Sequence, residues 1–269
     1  MTSRKSFRAR TPRPGRLLGA LALLLLLAAP SSRLRGQASE SLTGRWLIDF
    51  EEDGSVQLTL KHGARGHGNW SSSHDYLVRE FQGLRRPAGA TDVHARFELR
   101  RDAGTVAFEG RLNETGGSGR FSFAPSADYL AALQTMGYQR PDGETVFSLA
   151  VHDVSRAFIG ELEGLGYRRL PLDDLVSMRI HGASPEFVRE LKALGYEHLS
   201  PDDLVSMRIH GVAPEFIRDL QGLGYRNVSA DELVSMRIHG VSIDFVKKMK
   251  ARFKDVSADD LVDMRIHGR

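Results

Sequence analysis

The chain has 269 residues, of which 41% are hydrophobic and 26% are charged, and it contains no cysteine. This composition excludes a globally disordered chain, and the lack of cysteine excludes disulfide bonds, thiol catalysis and cysteine-ligated zinc. The net charge of +3 arises in residues 1–38, which carry eight basic and no acidic groups; the remainder has 29 basic and 34 acidic groups. Nucleic acid is not expected as a partner, because phosphate-backbone binding requires a concentrated basic surface.

Residues 1–38 have the pattern of a signal peptide. A basic segment precedes the apolar run LLGALALLLLLAAP (17–30), and small residues suit cleavage after Ala38. Cleavage after Ala29, or retention of the run as an anchor, are the alternatives. The run has about 14 apolar residues, fewer than the roughly 18–20 that cross a bilayer. The pattern predicts an exported, periplasmic or secreted protein with no transmembrane span after cleavage.

Residues 41–125 alternate between apolar and polar side chains. The alternation is clear in WLIDF (46–50), VQLTLK (56–61) and VHARFELR (93–100), and turn-forming residues separate such runs. Alternation is typical of strands with one buried and one solvated face. We therefore predict an antiparallel β-domain over 41–125, either a sandwich or a partial barrel.

One helix is predicted to interrupt this β-domain over 73–84. Leu77, Phe81 and Leu84 recur there at the spacing of a helical face. The preceding segment 61–74 is rich in glycine and is expected to be a loop. Its three histidines, which match no zinc-binding spacing, are His62, His67 and His74.

Residues 126–269 repeat with a period of about 29 residues. The phrase DDLVSMRIHG (173–182) recurs at 202–211, and close variants occupy 231–240 and 259–268. Serine or proline opens and glycine closes two short helices in each unit. Helices of about ten residues are marginal alone, so stacking of units is expected. The predicted fold class is α+β, with an αα-hairpin repeat solenoid that has a degenerate first unit and a truncated last unit.

A histidine–glycine pair ends the first helix of each complete unit. Successive helical units are about 10 Å apart, too far for equivalent histidines to share one zinc ion. A ring N–H in the last helical turn can instead bond free carbonyl groups, so we predict structural caps. The preceding arginines (Arg179, Arg208, Arg237 and Arg265) are expected to pair with acidic groups of neighbouring units. The predicted caps are His181, Gly182, His210, Gly211, His239, Gly240, His267 and Gly268.

No catalytic, metal or cofactor residue is assigned. The sequence contains no HExxH, GxSxG, SxxK or Walker motif. Trp46 and Trp70 are the candidates for lining a ligand pocket in the β-domain.

The segment LVSMRIHGVAPEFIRDLQGLGY (204–225) resembles helical repeats in extracytoplasmic tails of relatives of the BlaR/MecR-type bacterial membrane metallopeptidases. There the repeats follow a β-rich segment similar to FELRRDAGTVAFEGRL (97–112) and GRFSFAP (119–125). The resemblance covers 41–269 and implies an extracytoplasmic accessory or sensory module. This sequence lacks the multi-span membrane part, the HExxH motif and the SxxK motif, so neither peptidase nor β-lactam receptor activity is implied.

These patterns predict a non-enzymatic, exported interaction or sensory accessory module. Its helical repeats would present an extended surface to a protein, peptide or envelope partner. The alternatives are a small-ligand carrier or sensor with a pocket near Trp46 and Trp70, and a hydrolase without a recognisable motif. The oligomeric state is not predicted.

Overall fold

The computed structural model describes residues 42–63 and 69–268, and for residues 69 and 70 only the backbone. The predicted signal peptide over 1–38 and the predicted loop residue His67 lie outside these ranges. The described residues belong to one compact unit. Every helix within them falls short, in length or in apolar character, of what crossing a bilayer requires.

A single antiparallel sheet forms the first part of the described chain. Its seven strands are β1 (Thr43–Phe50), β2 (Ser55–Gly63), β3 (Asn69–Leu77), β4 (Phe81–Gln82), β5 (Val93–Arg101), β6 (Gly104–Leu112) and β7 (Gly116–Pro125), and a 3-10 turn (Val78–Glu80) joins β3 to β4. The order across the sheet is β3-β2-β1-β7-β6-β5-β4. The predicted antiparallel sheet is confirmed, and of the two predicted forms it is the partial barrel.

The strands alternate between buried and exposed side chains, as the sequence predicts. In β1, Trp46, Ile48 and Phe50 are buried, whereas Arg45 and Leu47 are exposed. The alternation gives the sheet one apolar face and one polar face.

The sheet curls so that its apolar face is concave. The ring centroids of Trp46 in β1 and Phe97 in β5 are only 5.2 Å apart. Two strands separate β1 from β5, and a flat sheet would place these residues about 14 Å apart. Gly110 and Gly119 allow the close approach, because a Cβ at Gly119 would lie 2.8 Å from the indole nitrogen of Trp46. The polar face is therefore turned outward, to solvent.

The helix predicted over 73–84 is wrong, because this segment continues the sheet. Tyr76 is buried and pairs with Val56 of β2, whereas the next residue, Leu77, is 39% exposed. This is the alternation of a strand. The helical spacing of the apolar residues misled the prediction because Phe81, which lies in β4, belongs to a different strand from Leu77.

Ten helices follow within the described residues, and each contacts the helix two places along, so that two layers form. The odd layer consists of α1 (Ala127–Thr135), α3 (Arg156–Gly164), α5 (Pro185–Ala193), α7 (Pro214–Gly222) and α9 (Ile243–Arg252). The even layer consists of α2 (Gly143–Val151), α4 (Leu172–His181), α6 (Pro201–Ile209), α8 (Ala230–Ile238) and α10 (Ala258–Ile266).

Capping boxes set the start of helices in the even layer. Ser229 Oγ accepts a hydrogen bond from Glu232 N at 3.2 Å, and Glu232 Oε2 accepts one from Ser229 N at 2.7 Å. Ser257 and Asp260 make the same reciprocal pair at α10. These boxes satisfy backbone N–H groups that have no partner inside the helix.

The first helical unit packs on the sheet, which explains its divergent sequence. The predicted domain boundary after residue 125 falls between the end of β7 and the start of α1, yet strands and helices share one core. Phe147 of α2 stacks on Phe121 at 5.4 Å between ring centroids and contacts Phe123 edge-on at 5.3 Å. Val151 is buried where later units carry an exposed isoleucine. The sheet, and not a preceding unit, is the neighbour of this end of the helical part.

Candidate functional site

The repeated phrase LVSMRI divides its side chains between the core and the solvent. In α6, Leu204 and Met207 are fully buried, whereas Ile209 is 54% exposed. Residues two apart in a helix point about 200° apart, so burial of the methionine turns the isoleucine outward. Each complete unit therefore holds one large apolar side chain in water.

Four such isoleucines, which we call the isoleucine row, lie along the even layer. They are 51%, 54%, 56% and 53% exposed, in chain order Ile180, Ile209, Ile238 and Ile266. Among the described residues eight large apolar side chains are exposed, and this row supplies half of them. The exposed apolar surface is thus concentrated on one layer of helices.

A row of acidic side chains runs beside the isoleucine row. Seven residues before each isoleucine stands an exposed aspartate, which forms the aspartate row: Asp173, Asp202, Asp231 and Asp259. Seven residues make nearly two helical turns, so both rows lie on one face, about 10.5 Å apart. In α6 the half-buried side chains of Val205 and Ser206 fill the space between them.

Aspartates of neighbouring units influence one another. Burial raises the pKa of Asp174, and the charges of Asp202 and Asp173 raise it further. Negative charge is therefore concentrated at the amino-terminal edge of the even layer, across the boundary between units.

The odd layer presents a different surface. Arg189 of α5 forms an ion pair with Glu161 of α3, and Arg218 of α7 lies 3.5 Å from Glu190 of α5. None of the exposed large apolar side chains of the described chain belongs to a helix of this layer. The odd layer is suited to water, whereas the even layer leaves apolar groups uncovered.

The arginine of each motif joins its unit to the unit before. The predicted pairing with an acidic group is found for Arg179, which lies 2.7 Å from Asp153. It is wrong for the other three arginines, which have no carboxylate partner within the described ranges. Each arginine lies over an aromatic ring 5.0–5.4 Å away: Arg179 on Phe158, Arg208 on Phe187, Arg237 on Phe216 and Arg265 on Phe245.

A carbonyl group of the preceding helix end completes this contact in α8. Arg237 Nε donates a hydrogen bond to the carbonyl oxygen of Gly211 at 3.0 Å. The phenyl face and the free carbonyl group are both electron-rich, so together they take the place of the expected carboxylate.

The structure places every predicted histidine–glycine pair at the carboxyl end of an even-layer helix. The glycines have positive φ angles of 70°, 68°, 69° and 65°, in chain order Gly182, Gly211, Gly240 and Gly268. Nδ1 of His239 lies 2.8 Å from the carbonyl oxygen of Ser235, and Nδ1 of His267 lies 2.9 Å from that of Asp263. Their rings therefore bond carbonyl groups of the last turn. The described residues contain no group of three or more histidines and carboxylates arranged to hold a metal ion.

The tyrosine of the repeated LGY phrase makes a hydrogen bond that was not predicted from the sequence. Three hydroxyls donate to carbonyl oxygens 31 or 32 residues further along: Tyr167 to Leu199 at 2.8 Å, Tyr196 to Val228 at 2.6 Å and Tyr225 to Val256 at 2.8 Å. The recurrence of these tyrosines every 29 residues was the sequence signal that could have indicated a shared contact. These bonds tie each unit to the loop that opens a later helix, and so help to align the isoleucine row.

Trp46, a candidate pocket residue, is a core residue here. It is 2% exposed, and its Nε1 donates to the carbonyl oxygens of Arg120 at 3.0 Å and Glu109 at 3.3 Å. The backbone of Trp70 pairs with His62, whereas its side chain lies outside the described part of the chain.

Two histidines expected in a loop lie on strands. His62 is 8% exposed at the end of β2, and its ring lies 5.8 Å from that of Phe147. His74 of β3 meets His152 of α2 edge-on, with ring centroids 4.5 Å apart. Burial lowers the pKa of His74. Burial, together with the charges of His74 and Arg179, lowers the pKa of His152 to about 4. The pair therefore lies where β3 of the sheet contacts α2.

Comparison of the chain with models of protein families, with curated proteins and with solved structures gave no match. The outward face of the even layer, with its isoleucine and aspartate rows, is therefore identified as the candidate functional site on geometry alone.

Proposed function

We propose that this chain is a non-enzymatic interaction module whose helical part is an αα-repeat solenoid. Its even layer presents the isoleucine row to a protein or peptide partner. The single observation that carries this proposal is the exposure of four isoleucines at equivalent positions of successive units.

The free energy of hydration supports this interpretation. Burial of an isoleucine side chain is worth about 1.5–3 kcal/mol relative to its exposure, so four uncovered isoleucines forgo a substantial stabilisation. Single exposed apolar residues are ordinary, but a contiguous apolar patch with a polar rim is typical of an interface. The odd layer, which carries ion pairs at its surface, shows that the same repeats can also build a water-adapted face.

The two rows define the chemistry of the partner. Apolar side chains would cover the isoleucine row, and basic side chains would meet the aspartate row. Packed helices are about 8–10 Å apart, and three residues of an extended polyproline II segment span about 9 Å. An extended segment that crosses the helices would therefore bring every third side chain to the next isoleucine.

The place of action is also part of the proposal. The leader over 1–38 supports export to the periplasm or beyond. The resemblance of 204–225 to repeats in tails of BlaR/MecR-type metallopeptidase relatives supports an accessory or sensory role in the cell envelope.

Selection of peptides of about 12 residues from a random display library would test this function. We expect the selected peptides to combine basic residues with apolar residues at every third position. The double variant Ile209→Ser/Ile238→Ser is expected to bind them at least about ten-fold more weakly, a loss of about 1.4 kcal/mol. Val93→Ser is the matched control, because Val93 is a 45% exposed apolar residue outside the even layer. Equal binding by the double variant, or no selected peptide at all, would contradict the proposal.

A further inference from the structure

The outward face of the sheet brings three cationic side chains into direct register. Lys61 of β2 is the cross-strand partner of Arg45 of β1, and Arg45 is also the partner of Arg120 of β7. All three side chains are exposed. Cβ atoms of directly paired residues are about 4.5–5.5 Å apart, so three positive charges lie side by side across three strands.

None of these three cations has a carboxylate partner within the described residues. The nearest acidic position in the same line is Glu109 of β6, the cross-strand partner of Arg120. Its Oε1 is bound instead by Arg96 at 2.7 Å and by His94 at 3.2 Å. Arg96 first, and His94 after it, hold the pKa of Glu109 below its usual value. Glu109, the acid that could neutralise Arg120 of β7, is therefore paired with side chains of β5 on its other side.

Like charges directly opposite in a sheet are destabilising. At an exposed strand position a neutral polar residue could replace a charged one with little loss of packing. Three uncompensated cations in one line therefore indicate a ligand of negative charge that is absent from the isolated chain.

A cavity of about 470 Å³ lies over these cations. Lys61, Arg45 and Arg120 line it together with the hydroxyl-bearing Thr59 and Ser118. Guanidinium groups present fixed pairs of N–H donors, an ammonium group adds a compact charge, and hydroxyls add further donors. This donor set matches a tetrahedral oxyanion.

The cavity has room for more than an inorganic anion. A neighbouring cavity of about 760 Å³ shares Arg45 and Arg120 with it and continues over β5 and β6. Exposed Leu47 lines the first cavity and would contact an apolar substituent. A phosphate group could thus be held while the rest of its molecule extends along the sheet.

We propose that Arg45, Lys61 and Arg120 form a binding site for a phosphate group. The phosphate belongs either to a soluble phosphomonoester or to a lipid headgroup. This site lies on the sheet and is independent of the interaction surface on the even layer.

Isothermal titration with inorganic phosphate and with glycerol phosphate tests the site, with sodium chloride at matched ionic strength as the reference. We expect saturable binding of phosphate by the wild type. The single variant Arg45→Gln is expected to bind about ten-fold more weakly, and the double variant Arg45→Gln/Arg120→Gln about a further ten-fold more weakly. Arg111→Gln is the matched control, because Arg111 is an exposed arginine of the same face that pairs with Asp92 outside the cavity. A response equal to that of sodium chloride, or unchanged binding by the double variant, would overturn the proposal.

Sedimentation with vesicles distinguishes the two sources of phosphate. Binding to phosphatidylglycerol vesicles but not to phosphatidylcholine vesicles, lost in the double variant, would assign the lipid headgroup. Binding of soluble phosphate alone would assign the phosphomonoester.

The apo protein provides an independent readout. Removal of one like charge by Arg45→Gln is expected to raise the unfolding midpoint at low salt, and the gain should shrink as phosphate is added. A lowered midpoint at low salt would show that the arginine is compensated within the chain and would contradict the proposed site.

Discussion

The guanidinium carbon of Arg208 lies 5.0 Å from the ring centroid of Phe187, 21 residues earlier in the chain. The same pair recurs one unit later as Arg237 on Phe216, at 5.2 Å. The contact joins the even layer of one unit to the odd layer of the unit before. It therefore recurs once in each unit along the helical part.

Replacement of Arg237 by methionine is expected to destabilise the protein. Arg237→Met keeps most of the apolar stem but removes the contact with Phe216 and the hydrogen bond to Gly211, a loss of about 1–2 kcal/mol in the free energy of unfolding. Arg218→Met, which removes only surface ion pairs, should cost less than about 1 kcal/mol. Urea unfolding measures both. Equal losses would show that the ring contact adds nothing beyond surface charge.

Truncation of two side chains of one motif should change stability by very different amounts. Met207 is fully buried, so Met207→Ala is expected to lower the free energy of unfolding by about 2–5 kcal/mol. Ile209 is 54% exposed, and Ile209→Ala should change it by less than about 0.5 kcal/mol. The comparison by chemical denaturation separates the core position from the surface position. A large loss for Ile209→Ala would mean that this side chain serves the fold.

The glycine that follows each histidine has a backbone conformation that other residues avoid. Gly211 has φ of 68°, so Gly211→Ala is expected to cost about 1–2 kcal/mol. Gly160 lies within α3 with open space around it, and Gly160→Ala should stabilise the protein by about 0.5–1 kcal/mol. Thermal unfolding of the two variants should therefore shift in opposite directions. Shifts in one direction would be inconsistent with a cap at Gly211.

The histidine pair between the sheet and α2 should make stability fall in acid. The pKa of His152 is about 4 in the folded chain and about 6.5 in an unfolded one, so the unfolded state binds more protons between these values. Its contribution is complete above about pH 6.5 and is lost as the pH falls towards about 4. His152→Asn should weaken the decline of the urea midpoint between pH 7 and pH 5. An identical decline in wild type and variant would contradict this assignment.

The strands and the short helices could be predicted from the periodicity of the sequence, because each period reflects which side chains are buried locally. Period-two alternation predicted the strands, and the 29-residue recurrence predicted pairs of short helices with their caps. The helix over 73–84 was wrong because Tyr76 faces the core from a strand, which the spacing of Leu77 and Phe81 obscured.

The candidate sites depend on information that local patterns do not contain. Arg45 and Arg120 meet because β1 pairs with β7, a strand about 75 residues further on, and no local pattern reveals that register. The absence of a carboxylate at Arg208 likewise depends on which unit lies beside it. Exposure of Ile209, in contrast, follows from its position two residues after Met207, and that signal was available in the sequence.

We expect the even layer, and not the odd layer, to contact a partner. A photo-reactive residue in place of Ile209 or Ile238, and in separate variants in place of Glu190 or Asp219 of the odd layer, tests this in the cells that produce the protein. Glu190 and Asp219 are exposed; Asp219 lies in the unit of Ile209, and Glu190 lies in the unit before it. We expect a discrete cross-linked species from positions 209 and 238 and none from positions 190 and 219. Equal cross-linking from both layers, or cross-linking from the odd layer alone, would contradict it.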